Sequence, residues 1–241
     1  MTGSAPAPGG DLEAARRLVR TGLRLSALGL LAIAGVYVLA IRFTPTESSQ
    51  GLAQKIFYLH VPAAWTALLV FSLVGIVSAL YLWLHDPRLD LFAASSAEVG
   101  VMFSTVMLTT GPIWAKPIWG TWWQWEPRLT LTLFLFFLYV GYLSLRSAIH
   151  DAAERARFSA VVAILGLVLV PFVHLSVYLW RTIHPMPIVL KPSAPSLPPE
   201  MLRTLLLGFA ATLLFYWGLV TMRYGIGLIA RAREAEELRN A

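Results

Sequence analysis

Apolar residues along the chain gather into six long runs separated by short polar stretches. They fall at about Leu25–Phe43, Val61–Leu84, Ala97–Pro112, Leu129–Leu145, Phe158–Trp180 and Leu202–Met222. Most reach the roughly 20 residues that cross about 30 Å of hydrocarbon at a rise of about 1.5 Å per residue. They are apolar around their whole circumference, which predicts helices rather than alternating barrel strands. The third run is the weakest, being short and carrying Glu98 near its start. Snorkelling, or pairing with Arg88, is the plain account of that carboxylate. The expectation is an all-α integral membrane protein of six transmembrane helices.

Six spans place both termini on one side. Of the 19 Lys and Arg, 12 lie on the terminal side and seven on the other. The positive-inside rule therefore predicts cytoplasmic termini. This divides the chain into a cytoplasmic segment 1–24, a six-helix membrane domain 25–222 and a cytoplasmic tail 223–241. The stretch before Asp11 reads as flexible, and the tail reads as a solvated helical extension of mixed charge. Two short charged turns face inward. Three longer connections, Thr44–His60, Ile113–Arg128 and Arg181–Met201, face outward.

Composition agrees. Charged residues make up 13% of the 241, about half of what soluble domains carry. No cysteine is present, which excludes disulfides, thiolate metal sites and covalent haem attachment through a CxxCH motif.

The chemistry concentrates outside. Of the nine tryptophans, five (Trp114, Trp119, Trp122, Trp123 and Trp125) lie within twelve residues, in the Trp-rich loop 113–130 between helices 3 and 4. Interfacial tryptophans commonly anchor helices at the headgroup level, but five exceed what anchoring requires. A helix over this loop would put Trp119, Trp122, Trp123 and Glu126 on one face, with Pro117 near its start and Pro127 as its stop. Extended chain would instead align Trp119, Trp123 and Trp125. Both arrangements stay open at this level.

His60, in "KIFYLHVPAAW", opens the second span, and His184, in "LWRTIHPMP", follows the fifth. They sit at the level of the tryptophans. Interfacial histidines are more often structural hydrogen-bonding residues, yet two imidazoles from separate helices beside flat aromatic rings suit a planar metallocycle. Lys55, Arg128, Arg181 and Lys191 are nearby cations able to pair with its carboxylates. His85 and His150 lie in inward turns, where a solvated histidine is the default. His174, inside span five, lies about 15 Å deeper than His184 along a helix and has no histidine partner at its depth.

"WGTWWQWEPRLT", with both histidine segments around it, resembles the tryptophan-rich WWD signature of the CcmC family, the six-span haem-handling proteins of bacterial cytochrome c maturation. The resemblance covers nearly the whole chain. It implies axial haem ligation by His60 and His184 and haem contact by the tryptophan-rich loop. Haem b would be a transient cargo, loaded onto the haem chaperone CcmE through a covalent vinyl bond. Release of that chaperone would involve the CcmA–CcmB ABC transporter and CcmD. It also implies a bacterial inner membrane, a site facing the periplasm, no turnover chemistry and no nucleic acid. The family signature ends in Trp-Asp, whereas Trp125 here precedes Glu126, which leaves the carboxylate's capping and partner-contact roles to be settled.

Two other functional classes compete with this one. A haem-dependent membrane oxidoreductase needs a second redox centre, for which no ligand pair exists in the sequence. A permease subunit exporting haem needs a polar transmembrane path, and these spans offer few polar groups.

Overall fold

A computed structural model of the chain describes residues 8–240. It is a bundle of six helices: α1 (Pro8–Arg42), α2 (Phe57–Leu84), α3 (Pro87–Trp119), α4 (Pro127–Ala148), α5 (Ala152–Leu179) and α6 (Pro199–Asn240). A 3-10 segment, Gly51–Ile56, leads into α2. All six helices are long and apolar enough to cross a membrane. Of the stretch read as flexible before Asp11, residues 8–10 already belong to α1, and residues 1–7 lie outside the described residues. The tail is helical to Asn240 and exposed from Arg233 onward.

Local chemistry sets the boundaries. Asp86, Glu126 and Asp151 each accept a backbone N–H of the first turn of α3, α4 and α5, and Pro87 and Pro127 take the first helical position, where no N–H is needed. Gly120 closes α3 in the left-handed region (φ 75°), its N–H donating to the Lys116 carbonyl at 3.0 Å. That reversal ends the helix and points the chain into the tryptophan segment.

The third helix is much longer than its apolar run. It spans 33 residues, because Asp90, Ser95, Ser96 and Ser104 are buried against other helices rather than facing lipid. A hydropathy minimum here marks a helix–helix interface. Glu98 pairs with Arg223 of α6 at 2.5 Å, and not with Arg88, which pairs with Asp86 at 2.9 Å. Ten residues along one helix separate Arg88 and Glu98 by about 15 Å, a gap no local bridge spans.

The second helix lies at the centre, against α3, α5 and α6. Phe71 stacks on Tyr139 of α4 at 3.9 Å, and the Tyr139 hydroxyl donates to the Phe71 carbonyl at 2.9 Å. Thr66–Thr212 (2.9 Å) and Ser96–Tyr216 (3.1 Å) are buried hydroxyl pairs tying α2 and α3 to α6. The first helix packs chiefly on α6, antiparallel, with Gly22 and Gly29 against the α6 backbone at Met222 and Phe215. Small residues let helix backbones meet where lipid supplies no hydrophobic drive. At the end where α1 starts and α6 finishes, Asp90 accepts Arg146 bidentately (2.5 and 3.0 Å) and Arg231 (3.2 Å), clipping α3 to α4 and α6.

Candidate functional site

At the opposite, distal end the helices splay around a cavity of about 350 Å³, within the range of small-molecule sites. Its wall is assembled from the starts of α2, α4 and α6, the ends of α3 and α5, and the irregular chain after α5. His60 and His184 both line it, as do Trp114, Trp119, Trp122, Trp123 and Arg128. Residues more than a hundred positions apart in the chain thus share one wall.

The tryptophans divide by backbone. The segment read as loop 113–130 is helical at both ends: α3 runs on to Trp119 and α4 starts at Pro127. Trp114 and Trp119 therefore sit on α3, and Pro117 lies near that helix's end rather than starting another. Only 120–126 is irregular, so neither a Trp119–Glu126 helix nor a regular extended alignment forms. The αL turn at Gly120 breaks both patterns.

Trp114 donates its indole N–H to Gln50 Oε1 (3.1 Å) and meets the His60 ring edge-on at 5.8 Å. Trp119 meets the His184 ring edge-on at 6.3 Å. Trp122 is 57% exposed at the cavity mouth. The Trp123 N–H is buried and finds no acceptor among the described residues. Trp125 stands apart: it is 77% exposed, edge-on to Trp123 at 5.7 Å, and lines a shallow apolar groove outside the cavity.

The two histidines are held differently. His60 Nδ1 lies 3.0 Å from Thr110 Oγ1 of α3. His184 Nδ1 lies 3.1 Å from the Arg128 guanidinium and 3.0 Å from its neighbour's carbonyl at Pro185. Arg128 in turn donates to the carbonyls of Val173 (3.2 Å) and His174 (2.9 Å), so the first turn of α4 is strapped to the end of α5. Burial pushes the His184 imidazole down to about 4, and the Arg128 charge adds to that shift. The ring is neutral at physiological pH, the form that offers a lone pair to a metal.

Glu126 is 8% exposed and caps α4 through Leu129 N–H (2.6 Å). Its other oxygen accepts the Thr182 hydroxyl, and Thr182 Oγ1 accepts the His184 backbone N–H at 3.1 Å. The longer Glu side chain therefore does cap the helix, and it also fastens the His184 segment.

The cations read as carboxylate partners separate in the same way. Lys55 is 4% exposed and donates to the carbonyls of Thr44 (2.6 Å) and Pro45 (3.0 Å), which closes the first distal loop. Lys191 bonds Ser196, and Arg181 projects from the surface. Arg128 alone of the four lines the cavity.

Three residues escaped the sequence reading. Thr110, Thr182 and Gln50 hold the site through contacts made by folding; Thr182 lies within the quoted segment around His184, whereas no motif surrounds Thr110 or Gln50. His174, set outside the site on sequence grounds, lines the cavity. Its depth along α5 was legible, but not the opening between helices that reaches it.

Among known proteins, the family described as CcmC, heme exporter protein C, matches residues 7–239. The chain is 36% identical over 202 residues to heme exporter protein C of Haemophilus influenzae, covering 84% of this chain and 81% of that one. The protein of the same name from Bradyrhizobium diazoefficiens is 38% identical over 188 residues (77% and 70%). That from Escherichia coli K12 is 38% identical over 160 residues (64% and 65%).

Proposed function

This chain belongs to the CcmC family of multi-pass membrane proteins, and from that premise we propose that it binds haem b at the distal cavity and delivers it to the haem chaperone CcmE during c-type cytochrome maturation. The observation that carries this reading is the convergence of His60 and His184 on one cavity walled by tryptophan. Their imidazoles act as the two axial iron ligands. Among the described residues no cluster of three or more His, Cys, Asp or Glu is placed to chelate a bare ion, so a metal held here by two imidazoles brings its other ligands with it, as in a porphyrin.

Each group has a role in that scheme. Trp114, Trp119, Trp122 and Trp123 cover the macrocycle by stacking and dispersion. Arg128, the one Lys or Arg among the described residues of the wall, pairs with a propionate, and the Trp123 N–H is a donor that a polar group of the cargo can satisfy. Trp125, outside on the groove, suits contact with a partner or lipid. With both axial positions filled by the protein, iron has no open site for O₂, which fits a carrier rather than a catalyst. The open mouth lets the cargo leave sideways to a partner.

In this reading residues 25–222 form the haem-handling domain. The termini lie in the cytoplasm and the cavity opens to the periplasm of a bacterial inner membrane. CcmA–CcmB and CcmD are the assembly that releases loaded CcmE.

The test is the absorption spectrum of the purified chain, co-expressed with CcmE, for wild type, His60→Ala and His184→Ala. A six-coordinate low-spin haem in wild type that is lost or becomes five-coordinate in either variant is expected. Unchanged spectra in both variants would make the histidines structural and move the ligand search to His174.

A further inference from the structure

The His60 ring rests on one short stretch of α3. Thr110 Oγ1 lies 3.0 Å from its Nδ1, Trp114 one turn further on meets it edge-on, and Gly111 lies beneath it, where an added Cβ would come 3.2 Å from Cε1. These contacts leave the ring little freedom to turn. They do not by themselves say which nitrogen bears the proton, and that decides whether the ring can ligate. A neutral imidazole donates from one nitrogen and offers a lone pair on the other.

The Thr110 hydroxyl resolves it by hydrogen-bond accounting. Thr110 Oγ1 lies 2.6 Å from the Val106 carbonyl oxygen, one turn back along α3. Two oxygens that close need a proton between them, and a carbonyl has none to give. The single hydroxyl proton therefore points at Val106, the usual back-bonding of a helical threonine. Only lone pairs of Oγ1 face His60, so Nδ1 must be the donor. The other nitrogen, Nε2, is left with a free lone pair.

We propose that Thr110 is a positioning residue that fixes His60 in the Nδ1–H tautomer, so that Nε2 is presented unprotonated to iron of the incoming macrocycle. The inference rests on His60 being an axial ligand. Metal-bound histidines characteristically donate their other ring N–H to an acceptor, which sets orientation and raises ligand basicity. Here the acceptor is a hydroxyl whose own proton is anchored in a helix. His184 is held differently: its Nδ1 lies between the Arg128 guanidinium, which can only donate, and the Pro185 carbonyl, which can only accept, so its surroundings do not single out one tautomer.

The test titrates ferric haem into the full chain, purified haem-free in detergent, for wild type, Thr110→Val, Thr110→Ser and His60→Ala. Affinity is read with the low-spin electron paramagnetic resonance signal and the reduction potential, which a purely structural role would not move. Thr110→Val keeps the side-chain shape without the acceptor. It is expected to weaken binding about 10- to 100-fold, change the low-spin signal and raise the potential, since ferric iron loses the more basic imidazole. Thr110→Ser keeps the hydroxyl and is expected to restore all three. Wild-type affinity and signal in Thr110→Val, or failure of Thr110→Ser to rescue, overturns the inference. If those come with loss of the low-spin signal in His60→Ala, the ligand assignment survives and only the Thr110 role falls. A wild-type signal in His60→Ala overturns both.

Discussion

Glu126 offers the sharpest perturbation, because one buried carboxylate joins two structures. One oxygen caps α4, and the other holds Thr182, which in turn holds the His184 backbone. Removing the cap costs about 1 kcal/mol. A lost hydrogen bond to a charged group costs about 1.5–3 kcal/mol. Glu126→Ala therefore destabilises the chain by about 2.5–4 kcal/mol. At about 2–4 °C per kcal/mol for a chain of this size, its melting temperature falls by on the order of 10 °C. Glu126→Asp moves the carboxylate back by about 1.5 Å, one carbon–carbon bond. Asp is a good cap, so this variant keeps α4 and loses Thr182. Its Tm falls by about two-thirds as much.

Haem affinity separates the two roles. Once Thr182 is released, the His184 backbone must be ordered on binding, at about 1–2 kcal/mol for one residue, or about 5- to 30-fold in affinity. Both variants should show this loss, while only Glu126→Ala shows the full drop in stability. Tryptophan-fluorescence melting and a ferric-haem titration measure the pair. If Glu126→Ala stays within about 2 °C of wild type and binds within about twofold, the bracket between α4 and His184 carries no weight and the reasoning fails.

Other outcomes follow from the same geometry. Trp125→Ala should leave ferric-haem affinity within about twofold, whereas Trp119→Ala, which removes a ring beside His184, should weaken it several-fold on an aromatic contact of about 0.5–1.5 kcal/mol; equal losses in both would place Trp125 in the cavity. Asp90→Ala strands Arg146 and Arg231 at the proximal end and should lower stability by about 3–5 kcal/mol, visible as a Tm drop on the order of 10 °C with haem affinity unchanged. For pH, the His184 imidazole is held near 4 when folded, against an ordinary value of 6.5. The unfolded chain thus binds the extra proton between those values, so the stability this group contributes is complete above about pH 6.5 and is lost as pH falls toward 4. At pH 5.5 the folded ring is still neutral, and the low-spin signal should persist; its loss there, with the fold intact by melting, would contradict the burial of this ring.

How much of this was legible in advance depends on the range of the interaction. The six spans and the cluster of tryptophans near two histidines come from local properties: hydropathy over about 20 residues and the composition of one connection. The caps at Asp86, Glu126 and Asp151 act within a few residues of themselves, but they emerged only with the helix boundaries of the structure. The third span was read short because hydropathy assumes lipid around every helix. Asp90, Ser95 and Ser96 face protein instead, and their polarity is met there.

The rest was decided by tertiary structure. That Trp114 and Trp119 belong to a helix and Trp125 to the outside, that Lys55 is tied to loop carbonyls, and that Arg128 turns to His184 are outcomes of packing between elements 10 to 60 residues apart. A side chain's type states which bonds it can make; only the fold states which partner is within 3 Å. Thr110 shows the limit most plainly. Its sequence context carries no motif, and its importance comes from a helix that delivers it to His60 from 50 residues away. Sequence alone therefore determined the class of the protein, its crossings and the residues from which a site could be built. Which of those residues share a wall, and which proton faces which nitrogen, followed only from the close approach of α2, α3, α4 and the chain beyond α5.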